Sequence, residues 1–195
     1  LWAGEPSAAL PDTVEQYQCS PELLQYVSPL KNSPGPVFAV KMPQRTETPV
    51  KNAIVLENVQ DPGNVGTVLR TANAMGAGAV LLVGACADLY SPKTVRASMG
   101  AIFRQNVVLT DLDGLKNYVN RNSLPLYGAA LSARAADLRE TNVKNAAVAV
   151  GSEGRGLSPE LLALCQGEVI IPMEPCAESL NAAVAASIIL WEMRR

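Results

Sequence analysis

The chain has 195 residues, of which 48% are hydrophobic and 17% are charged, and its formal net charge is −2. This composition is typical of a globular protein with one ample domain, or one domain and part of a second. No apolar stretch is long enough to span a membrane and no secretory signal is visible, so we expect a cytoplasmic protein that binds no membrane. The acidic balance argues against coating nucleic acid through bulk charge. A local basic patch remains open, because Arg70, Lys93, Arg96 and Arg104 lie in one part of the sequence.

Histidine is absent, and the four cysteines at positions 19, 86, 165 and 176 form no Cys-x-x-Cys pair. Too few soft ligands cluster for a zinc site, so we predict no metal. The lack of histidine excludes Ser-His-Asp, Cys-His and other histidine-based acid–base schemes. We expect the cysteines to be reduced and mostly buried.

Residues 1–50 differ from the rest, because they hold eight of the 14 prolines with only short apolar pieces between them. This pattern predicts a small subdomain or a fragment of one, followed by a linker at residues 44–49. The segment is too short to bury a good core by itself.

From residue 51 onward, continuous apolar runs alternate with amphipathic stretches, which predicts a mostly parallel α/β sheet with helices on both faces. The predicted strands lie at residues 53–56, 79–83, 107–109, 126–130, 146–150 and 169–171. The predicted helices lie at residues 65–75, 112–120, 159–165 and 180–195.

The first candidate motif, at residues 58–72, follows a strand and opens a helix, where ligands commonly bind in open α/β sheets. A structural turn, with Asn64 as the helix cap, explains Asp61 and its neighbours equally well. Arg70 is harder to explain structurally, because its helix has one apolar face and its role depends on which way it points.

The second candidate motif, at residues 150–158, carries three glycines between a strand and a capped helix, so its backbone amides could face a ligand. It is no phosphate loop, because no Gly-Lys-Ser/Thr follows and Glu153 would repel phosphate. A flexible loop remains the alternative. The glycines at residues 75–79 follow a helix and precede a strand, the reverse of a dinucleotide-binding fingerprint, and they cap the helix instead.

The third candidate motif consists of residues 170–173 and 178–185. Ser179 is the predicted N-cap of the last helix, and Asn181, a poor helix former, is not needed for that cap. The alanines that follow either allow close backbone packing or merely fill space.

Taken together, the order and spacing of these segments resemble the three signature motifs of the SpoU/TrmH family of RNA methyltransferases, part of the SPOUT superfamily. Those motifs are Asn-x-Gly-x-x-x-Arg-Thr-Ala, Gly-Ser-Glu-Gly-x-Gly and Ile-Pro-Met followed by Ser-Leu-Asn. The resemblance covers residues 51–195 and includes residues 91–101. It divides the chain into residues 1–48, similar to part of a small L30e-like RNA-binding domain, and residues 49–195, the methyltransferase domain.

The resemblance implies a C-terminal deep trefoil knot, an exception to normal chain topology. It also implies a homodimer that uses S-adenosylmethionine to methylate a ribose 2′-hydroxyl of structured RNA, rRNA rather than tRNA. Cofactor contacts would fall on Gly151, Ile171 and Leu180. The residues that match the family's catalytic and polar positions are Arg70, Asn64, Glu153, Ser179 and Asn181.

Three alternatives differ in class. Methylation of another RNA or position would use the same motifs, because these encode cofactor and chemistry rather than target. A catalytically idle RNA-binding paralogue would not need Arg70, Glu153 and Asn181. A nucleotide-dependent oxidoreductase disagrees with the reversed glycine order.

Overall fold

The computed structural model describes residues 1–4, 10–33, 35–43, 48–174 and 179–195, which fall into two compact units, residues 1–44 and 45–195. In the first unit, β1 (Trp2–Ala3) pairs in parallel with β2 (Gln18–Cys19), and α1 (Pro21–Val27) follows. Among its described residues only Trp2 and Leu24 are buried. The partial RNA-binding domain at residues 1–48 remains a prediction, and most of the predicted linker lies outside the described residues.

The second unit alternates strands and helices as its apolar pattern predicts. Its strands are β3 (Ala53–Glu57), β4 (Ala79–Val83), β5 (Val107–Thr110), β6 (Leu126–Ala129), β7 (Ala136–Asp137), β8 (Ala147–Val150) and β9 (Gly167–Ile170). Its helices are α2 (Pro62–Met75), α3 (Pro92–Ala97), α4 (Leu112–Arg121), α5 (Pro159–Leu164) and α6 (Ala182–Arg194), with a 3₁₀ helix at Ala101–Phe103. Among the described helices, none combines the length and apolarity needed to cross a bilayer.

The seven strands form one sheet in the order β5-β4-β3-β8-β6-β9-β7, and every pair is parallel. The central strands β3, β4 and β8 are buried along their whole length, which explains why they read as continuous apolar runs. The predicted α/β architecture with a parallel sheet is confirmed.

Alternate residues of each strand supply two separate cores. Ile54 and Leu56 pack on the side of the sheet that α2 and α6 cover. Ala53 and Val55 pack on the opposite side, beneath α4 and α5. Helices therefore cover both faces, and the loops at the carboxyl ends of the strands are left to build a site.

Helix α2 begins earlier than predicted. Asp61, not Asn64, is its N-cap and accepts a hydrogen bond from the Asn64 amide at 2.9 Å, while Pro62 occupies the first turn. The predicted end at Gly76 is confirmed, since Gly76 adopts the left-handed conformation with φ 74°.

The three described cysteines (Cys19, Cys86 and Cys165) are only half-buried, less than predicted.

Candidate active site

A cleft of about 380 Å³ opens where β6, β8 and β9 end. Three chain segments form most of its wall: residues 150–157, residues 169–173, and residues 179–185 in part. The predicted cofactor residues Gly151, Ile171 and Leu180 all line it, and so do Glu153 and Ser179. The structure therefore brings together segments of the second and third motifs that are separate in sequence.

The glycine-rich loop after β8 is folded tightly onto itself. Gly156 donates from its amide to the Ser152 carbonyl at 2.8 Å and has φ 65°, a conformation that favours glycine. A Cβ atom on Gly151 would lie 2.1 Å from the Gly156 carbonyl carbon and 2.4 Å from the Leu157 nitrogen. Gly151 is thus required by close backbone approach. By contrast, a Cβ atom on Gly154 would meet nothing within 4 Å.

A buried carboxylate holds the end of this loop. Glu57, the last residue of β3, is 3% exposed and accepts hydrogen bonds from the Ser158 amide at 2.7 Å and the Ser158 hydroxyl at 2.6 Å. The same serine caps α5 by accepting from the Leu161 amide at 3.1 Å. The sequence predicts a capped helix after this loop but not the role of Glu57, whose partner lies 101 residues away.

Three polar side chains from the three motifs are linked by hydrogen bonds. The Asn64 amide group donates to the Glu153 carboxylate in a short contact, and the Asn181 amide group donates to the Asn64 Oδ1 at 3.1 Å. Because Asp61 caps α2, the Asn64 side chain is free to form these two hydrogen bonds. The predicted polar residues therefore meet at the edge of the cleft, although their roles remain predictions.

The predicted cap of the last helix is wrong. Asn181, not Ser179, is the N-cap of α6, and its Oδ1 accepts from the Ala183 amide at 2.9 Å and the Val184 amide at 3.2 Å. Asparagine caps as well as serine does, and Asn181 is additionally held by Asn64. Because the helix starts at Ala182, Ser179 and Leu180 precede it and line the cleft, and Leu180 does not belong to the helix predicted to begin there.

Arg70 lies elsewhere. It is exposed on α2, six residues beyond Asn64, which is roughly 9 Å along the helix axis, and it is not among the described residues that line the cleft. Its catalytic role stays a prediction.

At the start of α2, Lys93 forms an ion pair with Asp61 at 2.7 Å, and this bond together with the Asn64 amide lowers the pKa of the Asp61 carboxyl.

Thiol chemistry has little support in this structure. Burial raises the pKa of the Cys165 thiol to about 12, and the nearby carboxylates of Glu168 and Glu57 add to that effect. Burial also raises the pKa of the Cys86 thiol. A thiol is a poor nucleophile when its pKa is high. In the described part of the chain, no three His, Cys, Asp or Glu side chains are grouped to hold a metal ion.

The cleft suits a small molecule with both apolar and charged parts. Its volume falls in the roughly 300–1,000 Å³ range of ligand sites. Apolar side chains such as Leu157, Val169 and Ile171 offer contacts to a flat ring, and loop backbone groups offer hydrogen bonds. The Glu153 carboxylate complements a positively charged centre.

Comparison with known proteins gives the family. The SpoU rRNA methylase family matches residues 51–191. An uncharacterized tRNA/rRNA methyltransferase of Synechocystis is 36% identical over 188 residues, covering 94% of this chain and 68% of that protein. The 23S rRNA (guanosine(2553)-2′-O)-methyltransferase RlmP of Bacillus subtilis is 34% identical over 163 residues, covering 83% and 66%.

Solved structures of related proteins support the same family assignment. The SpoU methyltransferase AviRb from Streptomyces viridochromogenes superposes with a TM-score of 0.81 at 30% identity, covering 94% of this chain and 74% of AviRb. Its structure in complex with the cofactor AdoMet gives a TM-score of 0.77 at 28% identity. The chain thus spans about two thirds of its curated relatives and three quarters of AviRb. The predicted resemblance is confirmed, and the chain belongs to the SpoU rRNA methylase family.

Proposed function

We propose that this protein transfers a methyl group from S-adenosylmethionine to a ribose 2′-hydroxyl of structured RNA, with rRNA rather than tRNA as the substrate. The observation that carries the proposal is the cleft, because residues from the second and third motifs line it and the hydrogen-bonded chain Glu153–Asn64–Asn181 lies at its edge. The names of the relatives in Bacillus and Streptomyces support both the reaction and rRNA as substrate.

Gly151, Ile171 and Leu180 are the proposed cofactor contacts. Recognition by main-chain groups accounts for two apolar residues in this role, because their amides and carbonyls, rather than their side chains, would contact the adenine. Bound there, the cofactor would supply a sulfonium methyl group, which is already a strong electrophile. The enzyme therefore contributes mainly alignment of the ribose hydroxyl with that methyl group.

The polar residues would provide this alignment. Glu153 is held by Asn64, and Asn64 by Asn181, so the three side chains keep one another in place without a ligand. We assign Ser179 and Asn181 to hydrogen bonds with the ribose. Arg70, a planar group with five donors, would orient a substrate phosphate and stabilise the developing alkoxide, because a guanidinium is too weak an acid to serve readily as a base.

The proposal includes the trefoil knot of the family. Strand β8 inserts between β3 and β6, β9 adds beyond β6, and the chain then returns so that α6 packs against α2. This strand order and the packing of α6 on α2 are compatible with a chain path in which the last segment passes through an earlier loop.

It also includes a homodimer formed through the exposed side of α6. Val184, Ile188 and Trp191 are exposed there, and Trp191 is 60% accessible. Together with Asn64 and Thr67 they line a groove of about 430 Å³. Because large exposed apolar patches mark interfaces, light scattering should report about twice the 20.6 kDa chain mass. A catalytically active monomer would contradict this part of the proposal.

Methyl transfer to total rRNA tests the reaction directly. The protein is incubated with S-adenosylmethionine labelled on the methyl group, and the product is examined for alkali-resistant 2′-O-methyl nucleotides. Label at a ribose oxygen is the expected result. Cofactor binding without any transfer, by protein assayed on rRNA and on tRNA, would favour the idle paralogue. Transfer to a base instead would overturn the 2′-hydroxyl assignment.

A further inference from the structure

The arginines of the chain fall into two groups. Most of those in the described residues have a partner: Arg134, Arg139 and Arg195 form ion pairs, Arg194 donates to the Ala74 carbonyl, and Arg121 stacks on Tyr118. The side chains of Arg70, Arg96, Arg104 and Arg155 have no ion pair or hydrogen bond among the described residues, and all four residues are exposed. Three of these four lie in the segment that runs from α2 to the residue after the 3₁₀ helix, so the unpaired positive charge is concentrated in one part of the sequence.

The charge balance of that region is locally opposite to that of the whole chain. Residues 62–110 contain four basic side chains and one acidic side chain, Asp88, whose carboxylate accepts from the Tyr90 amide at 2.9 Å. One of the four, Lys93, is neutralised by Asp61. In a protein with a net charge of −2, this segment thus carries a local excess of positive charge, and its one carboxylate, Asp88, lies at the start of α3.

Helices α2 and α3 pack closely together, so the arginines on them belong to one surface. A Cβ atom on Gly66 of α2 would lie 2.5 Å from the Ala97 Cβ and 2.6 Å from the Thr94 carbonyl oxygen of α3. Arg70 follows Gly66 by one helical turn, on the side of α2 that faces α3. The buried Ser98 hydroxyl donates to the Val95 carbonyl at 2.7 Å and closes the end of α3.

Two large apolar side chains are exposed between the arginines. Met99 is 68% and Phe103 is 50% accessible, on either side of Gly100. Met99 has φ 49°, a left-handed conformation that is uncommon for a residue with a side chain. The Arg104 Nη1 lies 3.9 Å from the position that a Cβ atom on Gly100 would occupy, so the Arg104 guanidinium group lies next to Gly100.

We propose that this α3 basic surface, formed by Arg96, Met99, Phe103 and Arg104 with Arg70 at its edge, binds an unpaired segment of the RNA substrate. The guanidinium groups would contact phosphates and Phe103 would stack on a base, which is how proteins hold single-stranded RNA. Arginine, methionine and phenylalanine are also common in protein interfaces, so the test below measures the oligomeric state of Phe103→Ala as well. The inference rests on the proposed function for the identity of RNA as the ligand.

The test measures binding of labelled oligouridylate to the full chain over a range of salt concentrations. Arg96→Gln and Arg104→Gln should each weaken binding and reduce the slope of log affinity against log salt by about 0.7, the value for one phosphate contact on a single strand. Phe103→Ala should weaken binding about 5- to 100-fold through loss of stacking. Arg139→Gln removes the same charge from an arginine paired with Asp137, and Leu109→Ala removes an exposed apolar side chain elsewhere, so both controls should bind like the wild type.

Unchanged salt slopes in both arginine variants, with normal melting temperatures, would overturn the proposal. A halved mass of Phe103→Ala in light scattering would do so too, by assigning the surface to a protein interface. S-adenosylmethionine binding and methyl transfer to rRNA are measured on the same samples. If the wild type methylates rRNA but the variants bind oligouridylate normally, only the surface assignment fails. If the wild type binds no S-adenosylmethionine, the proposed function fails whatever the variants do.

Discussion

The cleft and the α3 basic surface satisfy their polar groups in opposite ways. In and around the cleft, Glu57, Asn64, Glu153 and Asn181 all bond to partners within the chain. On the α3 surface, the side chains of Arg96 and Arg104 have no ion-pair or hydrogen-bond partner among the described residues. Interactions already made in the free protein need no reorganisation when a ligand binds. Unpaired guanidinium groups, by contrast, are still available to bind an anion. The difference fits the two proposals, which are a cleft preformed for the cofactor and a surface that is completed only by the substrate.

The largest effect is expected at Arg70, at the edge of the α3 basic surface. Arg70→Ala should lower turnover by about 10²–10³-fold, the usual cost of removing one group that stabilises developing charge, while affinity for S-adenosylmethionine stays nearly unchanged. Arg70→Lys should recover little, because a point charge cannot reproduce the planar fork of donors. Single-turnover methyl transfer, with cofactor affinity and melting temperature on the same samples, is the measurement. Near-normal transfer by the alanine variant would remove Arg70 from the mechanism.

The preformed cleft is most directly disturbed at Gly151. Gly151→Ala places a methyl group against the backbone of Gly156 and Leu157, so the loop must shift, and we expect S-adenosylmethionine affinity to fall at least about tenfold. Gly154→Ala in the same loop adds the same methyl group into open space and should bind like the wild type. Calorimetric titration of both variants compares them. Equal affinities would mean that the loop does not form the cofactor site.

A smaller effect is expected where Glu57 holds the end of that loop. Glu57→Gln offers one acceptor oxygen to the two Ser158 donors, so we expect a loss of about 1–2 kcal/mol in the free energy of unfolding and a few-fold weaker cofactor binding. Cofactor affinity measured below the melting transition distinguishes this positioning role from a purely structural one.

A comparison of two helix-capping serines, Ser158 and Ser91, tests the role of Glu57 further. Ser158 and Ser91 each cap a six-residue helix that begins with proline, but only Ser158 also bonds a buried carboxylate. Ser91→Ala should cost about 1 kcal/mol of stability, the ordinary value of a cap, and leave cofactor affinity alone. Ser158→Ala should cost more and weaken cofactor binding. Identical behaviour of the two variants would remove Glu57 from the account of the cleft.

The smallest effect concerns acid stability. The Lys93 ammonium and the Asn64 amide hold the pKa of the Asp61 carboxyl below its ordinary value of 3.8, so its contribution to stability is present above that value. It is lost as pH falls through the depressed folded-state pKa. Asp61→Asn keeps a good cap but removes the charge, so its melting temperature should depend less on pH below about pH 4. The difference should be small because the pair is exposed. Parallel curves for variant and wild type would show that the ion pair contributes nothing.

Much of this fold could be predicted because its signals are local. Continuous apolar runs located the buried strands, and Gly76 marked the end of α2. The six-residue helix α3 was missed because it is too short for an apolar period to develop. The choice between Ser179 and Asn181 as cap, and the role of Glu57, depend on partners more than 100 residues away in sequence. No local pattern carries that information.

The central claim is that the cleft beneath Gly151, Ile171 and Leu180 binds S-adenosylmethionine. The most direct measurement is a calorimetric titration of the full chain in EDTA with S-adenosylmethionine, and separately with NADH. The account predicts saturable binding of S-adenosylmethionine, one molecule per chain, and no binding of NADH. Absence of heat with S-adenosylmethionine from folded protein, or equal binding of NADH, would contradict it.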